Sequence, residues 1–267
     1  MEAPARPLTY GGYLRVPELL QLQRRLSEAH DELQFIVVHQ VFELYFKLAL
    51  FELESARAAL DADQLPAAMR MLNRATTVLR TAAGGFDVLE TMRPWDFLEF
   101  RSRLKPASGF QSRQFRELEF LSGLKDARYL RNFESDPEDW AALRRRLEEP
   151  TLWDAFVGVV RRRGLPAEEE RQLLQTLIGV LQQVGSELEQ LSEALLDYDE
   201  ALAWWRYRHL LMVERIIGAR PGTGVEDVRR AFEGDSAYFT GVGYLRDTLH
   251  KRCFPLLWEA RTFVERA

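Results

Sequence analysis

Two histidines stand among large apolar residues at helical spacing, and they hold most of the chemistry this sequence offers. His209 lies in "WWRYRHLLMVERIIG" (204–218), where a helical period puts it on one face with Trp205, Met212, Val213 and Ile216, while Arg206, Arg208, Glu214 and Arg215 fall mostly elsewhere. His39 sits the same way in a stripe with Phe35, Phe42 and Phe46. An imidazole in such company is either a core histidine with a hydrogen-bond partner or a ligand to something bound there. Two such histidines facing each other across a bundle interior would suit a haem, with one imidazole on iron and the other in the opposite pocket. Periodicity alone leaves both readings open.

Two polar residues follow. Arg101, in "FLEFRSRL", comes after Phe97 and Phe100. Its guanidinium either emerges from an apolar wall, where it would grip a carboxylate bidentately, or lies on the surface with its stem packed. Thr223 stands between Gly222 and Gly224, in a backbone that can come close to a ligand or simply form a loop. Other chemistries lack their residues. The four histidines (30, 39, 209 and 250) include no pair at three- or four-residue spacing, so a helical zinc motif is absent. Neither "YGGYL" nor "GTG" has the setting of a phosphate loop, there is no nucleophile elbow, and Glu168 and Glu170 read as a solvated helix start.

Composition narrows the field further. The 267 residues are 46% hydrophobic and 29% charged, which suits one large domain. A net charge of −5 argues against nucleic-acid binding. Cys253 is alone and can form no internal disulfide or cysteine-based metal cluster. The start, "MEAPARPLTYGGYLRV", lacks signal-peptide regions, and no uninterrupted apolar run suits a membrane span, so a cytoplasmic protein without membrane contact is expected.

Helices must position these residues. Apolar periodicity predicts helices over about 28–62, 66–91, 111–123, 137–147, 150–163, 166–196, 198–217 and 242–265, with a less regular segment at 224–241. Pro166 is expected in a first helical turn and Gly218 as a C-terminal cap. Ser108 and Gly109, in "PASGF", suit a tight bend or a helix start. No alternating strand pattern and no repeat is visible. The expected fold is all-α, a bundle with long paired helices.

Six segments, in one order over nearly the whole chain, resemble the tryptophan 2,3-dioxygenase family: "LTYGGYLRV", "LSEAHDELQFIVVHQVFELYFKL", "FLEFRSRLKPASGFQSRQFRELEFL", "WRYRHLLMVERIIG", "GTG" and "GVGYLRDTL…FPLLWEARTFV". The resemblance implies a single all-helical, haem-binding domain over 1–267 that forms a homotetramer, with a dimer as the alternative. Its N-terminal segment, 1–27, would reach a neighbouring subunit's site, and 219–241 would cover the substrate.

Carried over residue by residue, the resemblance makes His209 the axial ligand of haem b iron and His39 the catalytic histidine that meets the indole N–H. Phe35 would pack on the indole, with Tyr10 and Tyr13 near the substrate and Ser108 at the haem edge. Arg101 would grip the substrate carboxylate, and Thr223 would meet the ammonium and carboxylate end. The implied reaction uses ferrous haem and dioxygen to cleave the bond between indole carbons 2 and 3 of L-tryptophan, giving an N-formylkynurenine-type product.

Some positions depart from the family pattern. Phe97 replaces a tyrosine that assists the arginine, Val41 and Phe42 replace smaller or more polar residues, and Tyr45 replaces a tryptophan. After "GTG" comes a longer, charged and aromatic stretch, "VEDVRRAFEGDSAYFT" (225–240), in place of a short glycine- and serine-rich loop. A different cover alters what fits. The alternatives are therefore monooxygenation of a substituted tryptophan, giving an oxindole or hydroxylated product, or a non-enzymatic haem-binding helical protein.

Overall fold

The computed structural model describes residues 7–232 and 242–265, and among them the regular structure is entirely helical. In chain order the α-helices are α1 (Tyr10–Leu14), α2 (Val16–Leu19), α3 (Glu32–Asp61), α4 (Leu65–Ala83), α5 (Gly85–Leu89), α6 (Pro94–Arg101), α7 (Arg113–Leu121), α8 (Pro137–Glu148), α9 (Leu152–Arg162), α10 (Glu170–Gln182), α11 (Glu187–Ile217), α12 (Val225–Ala231), α13 (Val242–Thr248) and α14 (Pro255–Arg261). Short 3-10 turns cover Ser102–Leu104, Gly109–Gln111 and Ala127–Phe133. The all-α expectation holds.

Local chemistry sets the ends of the long helices. At the start of α3 the Glu32 carboxylate accepts the backbone N–H groups of Leu26 and Ser27, at 2.6 and 2.8 Å, tying the preceding segment to the first turn. Thr151 and Asp154 cap α9 reciprocally: the Thr151 hydroxyl accepts from Asp154 N at 3.1 Å and the Asp154 carboxylate from Thr151 N at 2.7 Å. Ser186 caps α11, which ends at Gly218 with φ 59°.

The core is laid against α4, which packs on α3 along one side and on α11 along the other. Small residues allow close approach: Ala49 and Ala56 of α3, Ala68 and Ala75 of α4, and Ala201 of α11 are fully buried. Leu53, Leu60, Leu72, Leu79 and Leu195 fill the space between them and are also fully buried. By length and composition α3 would suffice to cross a membrane, but its inner face packs on α4, α5, α7 and α9. Its outer face carries an exposed stripe of Leu33, Val37, Val41, Leu44, Leu48 and Phe51. A smaller cluster, including Phe120, Tyr129, Phe133, Val228 and Phe232, seats α12 beside the Ala127–Phe133 turn.

Four boundaries differ from the sequence expectation. The break expected near residue 197 is absent; α11 runs through it, and the chain turns at Gly185, with φ 84°, before the Ser186 cap. Pro166 lies before α10, whose helix begins at Glu170. The 66–91 helix divides at Gly84, and Gly85 lets α5 lie tightly on α3: a Cβ there would stand 2.6 Å from Phe42 Cε1. The last helix is split, because the buried Asp199 carboxylate accepts the N–H groups of Cys253 and Phe254 and the Trp258 indole N–H, which folds 249–254 inward before Pro255 starts α14. The irregular segment contains α12; residues 233–241, the remainder of the expected cover, lie outside the described residues.

Candidate active site

A cavity of about 470 Å³ opens where α3, α5, α7 and α11 converge, closed on its remaining side by residues 107–112, 222–225 and α13. The volume falls in the range of small-molecule and cofactor sites. Its wall is chiefly aromatic and aliphatic and includes both histidines singled out from sequence.

His39 points its chemistry inward through a defined tautomer. Its Nδ1 lies 2.7 Å from the Phe35 carbonyl oxygen one turn earlier. A carbonyl only accepts, so Nδ1 carries the proton and Nε2 keeps a lone pair for another donor. Burial lowers its pKa, outweighing the Phe35 carbonyl and the Glu43 carboxylate, which pull the other way. The Phe35 ring lies 4.0 Å away, centroid to centroid.

His209 is held between Trp205 and Phe86, with ring centroids 5.3 and 5.7 Å away. Burial first, with the Arg116 guanidinium adding to it, lowers its pKa to about 4. Among the described residues nothing hydrogen-bonds to its ring, although it lines the cavity. An uncharged imidazole with unused nitrogens in an aromatic cavity is the donor that haem iron takes as an axial ligand. The residues present therefore fit a haem.

Of the other expected residues, Phe35, Phe97, Ser108 and Thr223 all line the cavity. Ser108 donates to the Asp227 carboxylate and accepts from Phe110 N at 3.3 Å. Gly222 and Gly224 flank Thr223; a Cβ on Gly224 would overlap the Phe110 ring and stand 3.2 Å from Ser108 Cβ, so this loop rests directly on the 108–110 turn. Arg101 is at the rim. It donates to the Pro221 carbonyl, its guanidinium carbon sits 6.0 Å from the Phe97 ring centre, and it is not part of the cavity wall. Tyr10 and Tyr13 lie outside the cavity on α1, 80 and 72% exposed, so this chain does not bring them to its own site.

Three features escaped the sequence reading. Asp227 is buried and links the 225–232 segment to Ser108, a pairing across 119 residues that no local pattern signals. Glu43, one turn beyond His39, accepts from Ser112 Oγ at 2.6 Å and Gln114 Nε2 at 2.8 Å, fastening α3 to the start of α7. Arg206, expected to face away, is 3% exposed and lines the cavity with Arg116 and Glu119. Its placement corrects the helical-face assignment. The available signal was an arginine one turn before a buried histidine, in a helix packed on several sides.

A helical framework around an aromatic cavity faced by two histidines defines a helical protein with a small-molecule or cofactor site. The family model for tryptophan 2,3-dioxygenase matches residues 2–171 and 177–264. The chain is 46% identical over 264 residues to a Nocardioides protein of that name, covering 96% of this chain and 94% of the relative. It is 40% identical to one from Caulobacter vibrioides, covering 97 and 99%, and 39% identical to one from Anaeromyxobacter dehalogenans, covering 97% of each. The chain belongs to the tryptophan 2,3-dioxygenase family.

Proposed function

We propose that this protein is a haem-dependent oxygenase that opens the indole ring of L-tryptophan, joining both atoms of dioxygen across carbons 2 and 3 to give an N-formylkynurenine-type product. The observation that carries this reading is His209, an imidazole that lines an aromatic cavity and has no hydrogen-bond partner among the described residues. Haem b bound there supplies dioxygen activation.

The chain's own residues supply orientation. The Nε2 lone pair of His39 accepts the indole N–H, because its other nitrogen is already committed to the Phe35 carbonyl. Phe35 and Phe97 offer rings for the indole to pack on. Thr223 takes the ammonium and carboxylate end. Arg101 donates one N–H to the Pro221 carbonyl, which leaves other donors of its fork for the substrate carboxylate. Fixing both ends of the amino acid is orientation catalysis, and the apolar wall excludes water. Ser108, tied to Asp227, sets the edge where the macrocycle would enter.

The exposed Tyr10 and Tyr13, and the apolar stripe outside α3, support an assembly in which the N-terminal segment of one copy completes the site of another; we propose a cytoplasmic homotetramer.

The test is a visible spectrum of purified protein followed by product mass after incubation of the ferrous protein with tryptophan and dioxygen. A haem band with a mass gain of two oxygen atoms, and no added reductant, supports ring cleavage. A gain of one atom that requires reductant or peroxide replaces it with monooxygenation. A haem band with no turnover across a panel of indole amino acids replaces it with a haem-binding protein that is not an enzyme.

A further inference from the structure

Asp227, in the first turn of α12, is a carboxylate only 4% exposed. It accepts from the Ser108 hydroxyl and, at 3.4 Å to each oxygen, from the Gln111 side-chain amide. Both donors are neutral, and among the described residues no cation pairs with this carboxylate. A buried carboxylate without a cation is costly. The docking of α12 does not require one, because Val228, Ala231 and Phe232 already seat that helix in the smaller apolar cluster.

What lies at each end of the link gives the carboxylate a purpose. On one side, Ser108 and Gln111 both line the cavity, on the stretch that closes it. On the other side, α12 starts directly after the loop that carries Thr223. Gly224 is the N-terminal cap residue of α12; the Val228 N–H donates to its carbonyl at 3.1 Å, and the Val225 N–H donates to the Gly222 carbonyl at 3.4 Å. Asp227 follows Thr223 by four residues, so the loop runs straight into the anchored turn. Thr223 itself lines the cavity, and among the described residues its hydroxyl makes no hydrogen bond.

We propose that Asp227 is a positioning residue for the amino-acid end of the substrate: by clamping α12 to Ser108 and Gln111, it holds Thr223 at the cavity before any ligand arrives. This rests on the reading of the site as one for an indole amino acid and deepens it. A loop that is free in the empty protein has to be ordered when substrate binds, and that lost entropy subtracts from affinity. A loop already clamped has lost it on folding, so the Thr223 hydroxyl meets the ammonium and carboxylate end in place. The two ends of the loop are fixed separately, since Arg101 holds the Pro221 carbonyl and Asp227 holds the first turn of α12. A carboxylate suits the second task because both of its oxygens accept, so it takes Ser108 and Gln111 together.

The experiment compares the full-length wild-type protein with Asp227→Ala, Thr223→Ala and the double variant, by hydrogen–deuterium exchange without substrate and by calorimetric titration with L-tryptophan. In Asp227→Ala the amides of 222–228 should exchange faster, by about tenfold, as the clamp opens. Tryptophan should bind that variant about tenfold more weakly, the size of a lost hydrogen bond to a charged group. In the Thr223→Ala background the same substitution should cost no further affinity, because Asp227 acts through that hydroxyl. An equal loss in both backgrounds overturns the proposal, since Asp227 then shapes the site by another route. Unchanged exchange, or unchanged tryptophan affinity, in Asp227→Ala overturns it as well. Those outcomes leave the substrate reading intact, whereas a wild-type protein that does not bind tryptophan overturns both. Helical circular dichroism checks the fold of each variant; should Asp227→Ala not fold, Asp227→Asn, which gives up the acceptor facing Gln111, goes through the same cycle and is decided by the same outcomes.

Discussion

The helical cage and the rim of the cavity are held together by different means. The cage is α3, α4 and α11, joined chiefly by apolar contacts between leucines and alanines. The rim is joined by single polar links between distant parts of the chain: Arg101 to the Pro221 carbonyl across 120 residues, and Ser108 to Asp227 across 119. Apolar burial adds up over many atoms and fixes shape. A lone polar link contributes little net stability, but it fixes where a loop sits. The cage therefore determines whether there is a cavity, and the rim determines what enters it.

The sharpest break in that comparison is His209→Ala. We expect complete loss of the haem absorbance band with helical circular dichroism unchanged, because the residue serves the guest and not the fold; a retained band would remove His209 as the ligand. Next comes Leu72→Ala, at a fully buried α4 position. It should cost about 2–5 kcal/mol in urea unfolding, with the same kind of haem spectrum in the folded fraction. A loss below that range would mean that the cage is less closely packed than its burial indicates.

At the rim the order reverses. Arg101→Ala should leave urea stability within about 0.5 kcal/mol of wild type and weaken tryptophan binding by about 1.5–3 kcal/mol, with tryptamine binding unchanged. Equal loss for tryptophan and tryptamine would show that Arg101 only anchors the 220–224 loop.

The smallest effect belongs to His39. His39→Ala should weaken tryptophan binding by about 0.5–1.5 kcal/mol and spare 1-methyltryptophan, which has no indole N–H. The pH dependence has a definite sign. Burial lowers the folded-state pKa of His39 below 6.5, so the neutral form that accepts the indole N–H, and the stability it contributes, are fully present above pH 6.5. The stability declines as pH falls below that value, whereas the neutral form in the folded protein is lost only as pH falls through the lowered pKa. Tryptophan affinity should therefore stay level to below pH 6.5 and fall only as pH passes the lowered pKa, and His39→Ala should remove the His39 part of that fall.

Legibility followed the same division. The cage could be read from sequence because a helix repeats its apolar pattern over many residues, and α3 and α11 each run for eight turns or more. His39 and His209 stood out because each interrupts such a pattern. What could not be read depended on contacts remote in sequence. Asp227 looks like a surface residue of a charged stretch until Ser108 is placed beside it. Arg206 was assigned outward because helical-face arithmetic assumes one buried side, whereas α11 meets α4, α5, α6, α13 and α14 at different points along its length. The break at Gly185 was missed because a glycine in a polar run gives no sign of which neighbouring residue will end the helix. The family resemblance named Tyr10 and Tyr13, which stay exposed among the described residues of one chain.

The missing side chain of Gly85 has a further consequence. Because the two helices meet there at the distance of bare backbone, the Phe42 ring is set by its neighbour's emptiness and not by its own rotamer alone. Even one added methyl group at that point would press on the aromatic lining from behind. The dimensions of the chamber are thus tuned from outside it, by an atom that is absent.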